Sequence, residues 1–209
     1  MEVIKDFIPE GRQNRPAGKN KLQYIAVHNT DNYSVGANAL NHAQYLKTTD
    51  KHVSWHFTVD DTNVVQHLPV EETAYHATDG MSGLGNTSSI GVEICVNADG
   101  DIKKATLRAV ELIRYLCDKY NIPVDGVVQH NFFYNKNCPK ELRAGNPVSW
   151  VEFIEMVNAD RPSTWAQEAC AWAVEEGIVV GNSSSDYGWK DTITKEQMAT
   201  MLYRYHKLK

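Results

Sequence analysis

Long apolar runs are missing from this 209-residue chain. No stretch approaches the roughly 18 apolar residues that a membrane-spanning helix requires, and the opening MEVIKDFIPEGRQNRP lacks the basic and apolar regions of a signal peptide. The expectation is a chain with no membrane span, made in a cytoplasm without a signal peptide. Positive charge is also scarce: 21 Lys and Arg against 26 Asp and Glu leave a net charge of −5. A phosphate backbone needs a basic face, so no nucleic-acid partner is expected. Cysteine is sparse. Four thiols (Cys95, Cys117, Cys138, Cys170) without a secretory signal exclude a disulfide framework, and each needs its own explanation. For the same reason the Asn-x-Ser/Thr triplets at Asn32, Asn86 and Asn182 carry no weight as glycosylation sites. What remains, 42% apolar and 22% charged residues, is the composition of an ordinary globular protein.

Residues 1–20 are polar and broken by Pro9, Gly11, Pro16 and Gly18, which reads as an irregular lead-in. Residues 24–28 (YIAVH) read as a buried strand that delivers His28 at its exit. Residues 36–47 carry Ala39, Leu40, Ala43 and Leu46 at helical spacing, with His42 expected on the helix surface. Residues 55–59 and 64–68 flank DDTN as a hairpin. In residues 88–96 (SSIGVEICV), alternation puts Val92, Ile94 and Val96 on one face and Gly91, Glu93 and Cys95 on the other. A carboxylate inside such a run is costly unless paired or used. Residues 105–120 form a strong amphipathic pattern in which Cys117 is core. Residues 126–129 make a last short strand that delivers His130, and residues 150–157 a last helix.

The stretch QHNFFYNKNCPK (129–140) places His130, Lys136 and Cys138 within nine residues. A catalytic zinc site usually keeps three protein ligands and one open position, and His28, His130 and Cys138 supply three ligands of suitable type. The spacing alone also admits two satisfied histidines and a buried thiol, since it is no tight motif such as H-E-x-x-H. Lys136 and Lys140 flank Cys138 and favour thiolate, which suits a ligand or a nucleophile with His130 as its base.

The set YIAVHNTDN, SWHFTVDD, TAYHATDG, SSIGVEICVNADGD and QHNFFYNKNCP, in this order, resembles the zinc-dependent N-acetylmuramoyl-L-alanine amidases of the type-2 amidase and peptidoglycan-recognition superfamily. The likeness is to the amidase endolysins of phages and prophages of Bacillus-like bacteria, and it covers nearly all of residues 2–157. It implies an α/β fold with a central mixed β-sheet flanked by helices. It implies one zinc ion on His28, His130 and Cys138, with Lys136 as catalytic lysine and Glu93 as general base. Some relatives place a tyrosine just before the hairpin histidine; Trp55 stands there, which leaves the role to Glu93. Trp55, Tyr75, His76 and Phe132 are candidates for lining a groove for sugar or peptide, with aromatic core as the other reading of Trp55. The implied reaction cuts the glycan from the stem peptide of peptidoglycan. A non-catalytic wall-binding protein and a cysteine hydrolase using Cys138 are the competing functions.

Residues 159–163 read as a linker after a catalytic domain of residues 1–158. Residues 164–209 contain Thr164 with Gln167 and Thr194 with Gln197, each spaced as a capping box. WAQEACAWAVEEGIVVG followed by ITKEQMATMLYR resembles a single S-layer homology module. That likeness implies a small all-α C-terminal module that binds a secondary cell-wall polymer; a helical hairpin that only stabilises the enzyme or mediates a homo-oligomer is the other reading, and Cys170, between Ala169 and Ala173 on the apolar stripe, is expected in the core. The whole implies a lysin made in a host cytoplasm and acting on the cell wall after release.

Overall fold

A computed structural model describes residues 2–159, 162, 164–181, 187–189 and 191–208. Two compact units, Met1–Val157 and Asn158–Lys209, divide the chain. The first contains β1 (Ile4–Lys5), β2 (Tyr24–Asn29), α1 (Ala39–Thr48), β3 (Phe57–Val59), β4 (Val64–Gln66), α2 (Leu84–Ser88), β5 (Ser89–Ile94), α3 (Ile102–Tyr120), β6 (Val127–Gln129), α4 (Lys140–Arg143) and α5 (Trp150–Asn158). The strands form one mixed sheet in the order β1-β4-β3-β5-β2-β6. Among the described strands only the β3–β4 hairpin is antiparallel; β1–β4, β3–β5, β5–β2 and β2–β6 are parallel.

The two-residue period of the strands gives the sheet two unlike faces. Ile25, Val27, Phe57, Val59, Ile90, Val92 and Ile94 share the main core with α3, α5 and Leu142. The opposite face carries Thr58, Glu93 and His28 in one row, since Glu93 is the register partner of both of the others. Over β3 and β4 this second face is covered by α1, where Ala39 and Ala43 pack with Val65 and Cys95. Towards the ends of β2, β5 and β6 its apolar character gives way to the polar His28, Glu93 and His130.

Helix α3 starts at Ile102, earlier than apolar periodicity alone indicates. The Asp101 side chain caps it, accepting the Lys104 N–H at 3.1 Å, so its first turn is fixed by hydrogen bonding rather than burial. It stops at Asn121, whose φ of +52° is the left-handed conformation that ends helices. In α1 the cap is Asn38, which accepts from the Asn41 N–H and starts the helix at Ala39 instead of Gly36. His42 is buried rather than on the surface: it shares the inward stripe with Ala39, Ala43 and Leu46, and its Nδ1 lies 2.8 Å from the Asn38 carbonyl.

The lead-in is more ordered than its composition suggests. Residues Ile4–Lys5 pair with β4 as an edge strand. Arg15 forks onto Glu72 with N–O distances of 2.8 and 2.7 Å and donates to the Ile8 carbonyl. Asn20 donates to the Val70 and Ser89 carbonyls. These bonds satisfy backbone that would otherwise be orphaned beneath the loop.

In the second unit a 3-10 turn, Thr164–Ala166, runs into α6 (Gln167–Glu175), which has Ala166 at its N-cap and no side-chain cap. Gln167 therefore opens α6, two residues too early for its part of a capping box; the Thr164 side chain lies outside the described residues. Helix α7 (Lys195–Lys207) has the full box, with Thr194 and Gln197 bonded reciprocally. Arg204 of α7 donates to the Ile178 carbonyl at 3.1 Å. Neither helix has a buried residue among those described, so Cys170 is half-buried rather than core. Most of the expected linker and Asn182 lie outside the described residues.

Candidate functional site

Three neighbouring parallel strands end at the same edge of the sheet, and the site is built at their ends and in the loop beyond β6. His28 is the last residue but one of β2 and faces Glu93 on β5. His130 directly follows β6, which pairs with the other side of β2. The chain then loops through Lys136 to Cys138, with a cis peptide before Pro139. The loop is tied back where the Asn131 N–H donates to the Cys138 carbonyl and the Asn29 side chain accepts the Glu141 N–H. His28 Nδ1 lies 2.9 Å from His130 Nδ1 and 3.7 Å from Cys138 Sγ. All three side chains are buried, and their donor atoms lie within 4.8 Å of one another.

The outer nitrogens of the two imidazoles decide what the inner ones offer. His130 Nε2 is 2.9 Å from the Ala77 carbonyl, which can only accept, so the proton is on Nε2 and Nδ1 is a bare lone pair. His28 Nε2 is 3.0 Å from His76 Nδ1. With the His28 proton on Nδ1, the two rings share a hydrogen bond. With it on Nε2, donated to His76, two imidazole lone pairs and a sulfur converge on one buried point, an arrangement that a single cation satisfies in full. Two nitrogens and one sulfur are the donor set that suits zinc, so the residues present fit a single zinc ion.

Electrostatics at the site follow from burial. The Glu93 carboxyl is pushed up to about 8 by burial, against the pull of the Lys136 ammonium. Its Oε1 lies 4.0 Å from His28 Nδ1, and its Oε2 is buried without a hydrogen-bond partner among the described residues. Burial, aided by the Glu93 charge, pushes the Cys138 thiol up to about 12. The exposed Lys136 lies close enough for its charge to act on Glu93, His28, His130 and Cys138.

The residues expected to line a groove separate into two groups. Phe132 is exposed (59%) beside the site and packs with Tyr24 and Phe133. Tyr75 is half-buried and meets His52 edge to face. Trp55 and His76 point inward. Trp55 packs with Ile8, Leu46, Leu68 and Ala74 while its indole N–H donates to Thr58 at 2.7 Å. His76 lies behind His28 rather than in front of it, because Gly91 beneath it leaves the ring room: a Cβ at Gly91 would come within 2.8 Å of that ring. Nothing in the sequence pattern points to the Ala77 carbonyl or to Asn86, because neither a backbone acceptor nor a lone loop amide leaves a periodic signal.

The family model described as N-acetylmuramoyl-L-alanine amidase matches residues 18–141. The chain is 52% identical over 142 residues to the N-acetylmuramoyl-L-alanine amidase XlyA of Bacillus subtilis (strain 168), a match covering 68% of this chain and 48% of that protein. It is 51% identical to the amidase CwlH of the same organism, covering 68% of this chain and 57% of CwlH. The solved catalytic domain of XlyA superposes with a TM-score of 0.72 at 48% identity, over 76% of this chain and all of that domain. The chain thus spans about half the length of the curated relatives it matches.

Proposed function

The chain belongs to the N-acetylmuramoyl-L-alanine amidase family, and on that premise we propose that it is an endolysin-like peptidoglycan hydrolase using one zinc ion held by His28, His130 and Cys138. The bond cut is the amide between the lactyl group of N-acetylmuramic acid and the L-alanine of the stem peptide. The observation that carries this reading is the convergence of three buried donors beside a carboxylate oxygen that has no partner among the described residues.

A zinc ion held there supplies Lewis acidity to a carbonyl oxygen and lowers the pKa of water to about 7. Glu93 Oε2 takes the proton of the attacking water and then delivers it to the departing alanine nitrogen. The water oxygen bonds to the lactyl carbon, the carbon–nitrogen bond then breaks, and the second water proton passes to the released amine, leaving a carboxylate and an ammonium. Lys136 offers its ammonium to the oxyanion that develops on the carbonyl, a contribution of about 3 kcal/mol for a well-placed donor. The exposed face of Phe132 suits stacking against a sugar or peptide. Against a Cys138 nucleophile stands its burial, which raises the thiol and outweighs the opposing pull of the Asn29 backbone and the Lys136 charge.

The test is metal content together with amine release from Bacillus-type cell walls, before and after chelation and zinc add-back. One zinc per chain, with amines but no new reducing sugars released and activity lost and then restored, supports the reading. Amine release from metal-free protein overturns it.

For the second unit we propose an S-layer-homology-like helical module that binds a secondary cell-wall polymer. Its capped α7 and a cavity of about 690 Å³ lined by Val180, Tyr187, Trp189, Asp191, Thr194 and Arg204 support this reading. Co-sedimentation of the full chain with walls before and after removal of their secondary polymers tests it: equal binding to both defeats the proposal. The unburied faces of α6 and α7 also support self-association, which analytical ultracentrifugation reads directly.

A further inference from the structure

The strand ends bring the histidines together, but a different segment orients them. Residues 76–78 touch the outer nitrogen of both rings: His76 Nδ1 lies 3.0 Å from His28 Nε2, and the Ala77 carbonyl accepts from His130 Nε2 at 2.9 Å. Thr78 Oγ1 stands 3.1 Å from the same His130 nitrogen. Thr78 has a φ of +62°, a conformation that is unfavourable for a β-branched residue and persists only where its surroundings hold it.

Asn86 does the holding. It is buried in α2, and its Oδ1 accepts both the His76 and the Ala77 backbone N–H at 2.8 Å, while its Nδ2 donates to the Gly80 carbonyl at 2.9 Å. Two glycines make room for the arrangement. A Cβ at Gly91 would meet the His76 ring at 2.8–3.0 Å, and one at Gly85 would meet the Ala77 Cβ at 2.3 Å. One short segment, pinned by one amide and seated on two glycines, therefore sets the orientation of two side chains that are 102 residues apart in sequence.

We propose that His76 and Asn86 are positioning residues for the metal, His76 by accepting the His28 Nε2–H so that Nδ1 is left bare, and Asn86 by fixing the segment that serves both histidines. This rests on the zinc reading above. Outer-sphere partners of metal-bound histidines hold the tautomer and ring orientation, and losing one typically lowers metal affinity by about 10- to 100-fold. The usual partner is a carboxylate, carbonyl or water; here it is a carbonyl for His130 and a second imidazole for His28. The geometry also separates His76 from substrate, since its ring lies behind the ligand.

The experiment compares zinc affinity, by competition with a chelator of known strength, in the parent and in His76→Ala, Asn86→Ala and Gly91→Ala. The melting temperature of each metal-free protein is recorded alongside. The expected result is a 10- to 100-fold loss of affinity in all three, with Gly91→Ala acting only by displacing the His76 ring. A purely structural role lowers the melting temperature with and without zinc alike and leaves affinity within twofold of the parent, which overturns the inference. Should a variant fail to fold, nitrogen-15 NMR of the zinc-loaded parent decides: the His28 proton on Nε2 and a bare His76 Nδ1 support the assignment, and a proton on His76 Nδ1 overturns it. A parent that binds no zinc overturns the zinc reading and this inference together, whereas a zinc-binding parent with unaffected variants overturns this inference alone.

Discussion

His28 and Glu93 stand opposite each other in the parallel register of β2 and β5, with 4.0 Å between Nδ1 and Oε1. A candidate ligand and a candidate base are thus fixed relative to each other by backbone hydrogen bonds in the centre of the sheet. The backbone of neither depends on a loop for its position.

Replacing Glu93 by Gln keeps the shape and removes the proton acceptor. Amine release should fall by about 10²- to 10⁴-fold, the range that general-base catalysis contributes, with zinc content unchanged. Activity within a factor of a few of the parent would assign the base elsewhere.

Lys136 is exposed and acts by its charge. The Lys136→Ala variant should lose about 10²-fold or more in kcat, as for removal of an oxyanion donor, and should still bind one zinc. A change confined to KM would make Lys136 a substrate contact instead.

Trp55 separates the two readings of the hairpin. Because the indole is buried and bonded to Thr58, Trp55→Phe should lower unfolding free energy by about 1–2 kcal/mol and leave KM for cell walls unchanged. A raised KM with undiminished stability would put Trp55 back in the groove.

Acid should destabilise the first unit through its histidines. His56 donates its Nε2–H to the Glu72 carbonyl and accepts the Gly91 N–H on Nδ1, so it is fully bonded only when neutral. Burial holds it down to about 4, and burial with the His42 charge holds His67 down to about 3. A folded-state pKa below the unfolded value of about 6.5 means that the unfolded chain binds more protons. The stability is therefore complete above pH ~6.5 and is lost as pH falls towards 4 and then 3, at on the order of 1 kcal/mol per pH unit for each histidine. His28, His76 and His130 are lowered as well and act in the same direction. Denaturant unfolding in chelator between pH 7.5 and 4.5 measures this, and a flat profile would contradict it.

Much of this was legible in the residues, for identifiable reasons. Strands β2 and β5 and helix α3 each have enough apolar positions to show their period, and that period put Glu93 on the face opposite Val92 and Ile94; that the same face carries His28 comes from the β2–β5 register. The errors fall where direction depends on a partner distant in sequence. His42 looked like a surface residue until the β3–β4 side of the sheet was there to bury it. His76 read as part of a groove because a loop residue carries no facing, and its inward turn depends on Gly91, fifteen positions on. Strand β1 is two residues long and exists only because β4 offers an edge.

The candidate ligands His130 and Cys138 lie 102 and 110 residues beyond His28, and β6 must pair with β2 before they can reach it. A chain emerging from the ribosome therefore carries no assembled centre until Cys138 has left the exit tunnel and the last strand has docked. An ion captured there closes most of the first unit into a single loop, so that the element completing the chemistry is also a clasp on the topology, and losing the ion should loosen contacts far from the site in sequence.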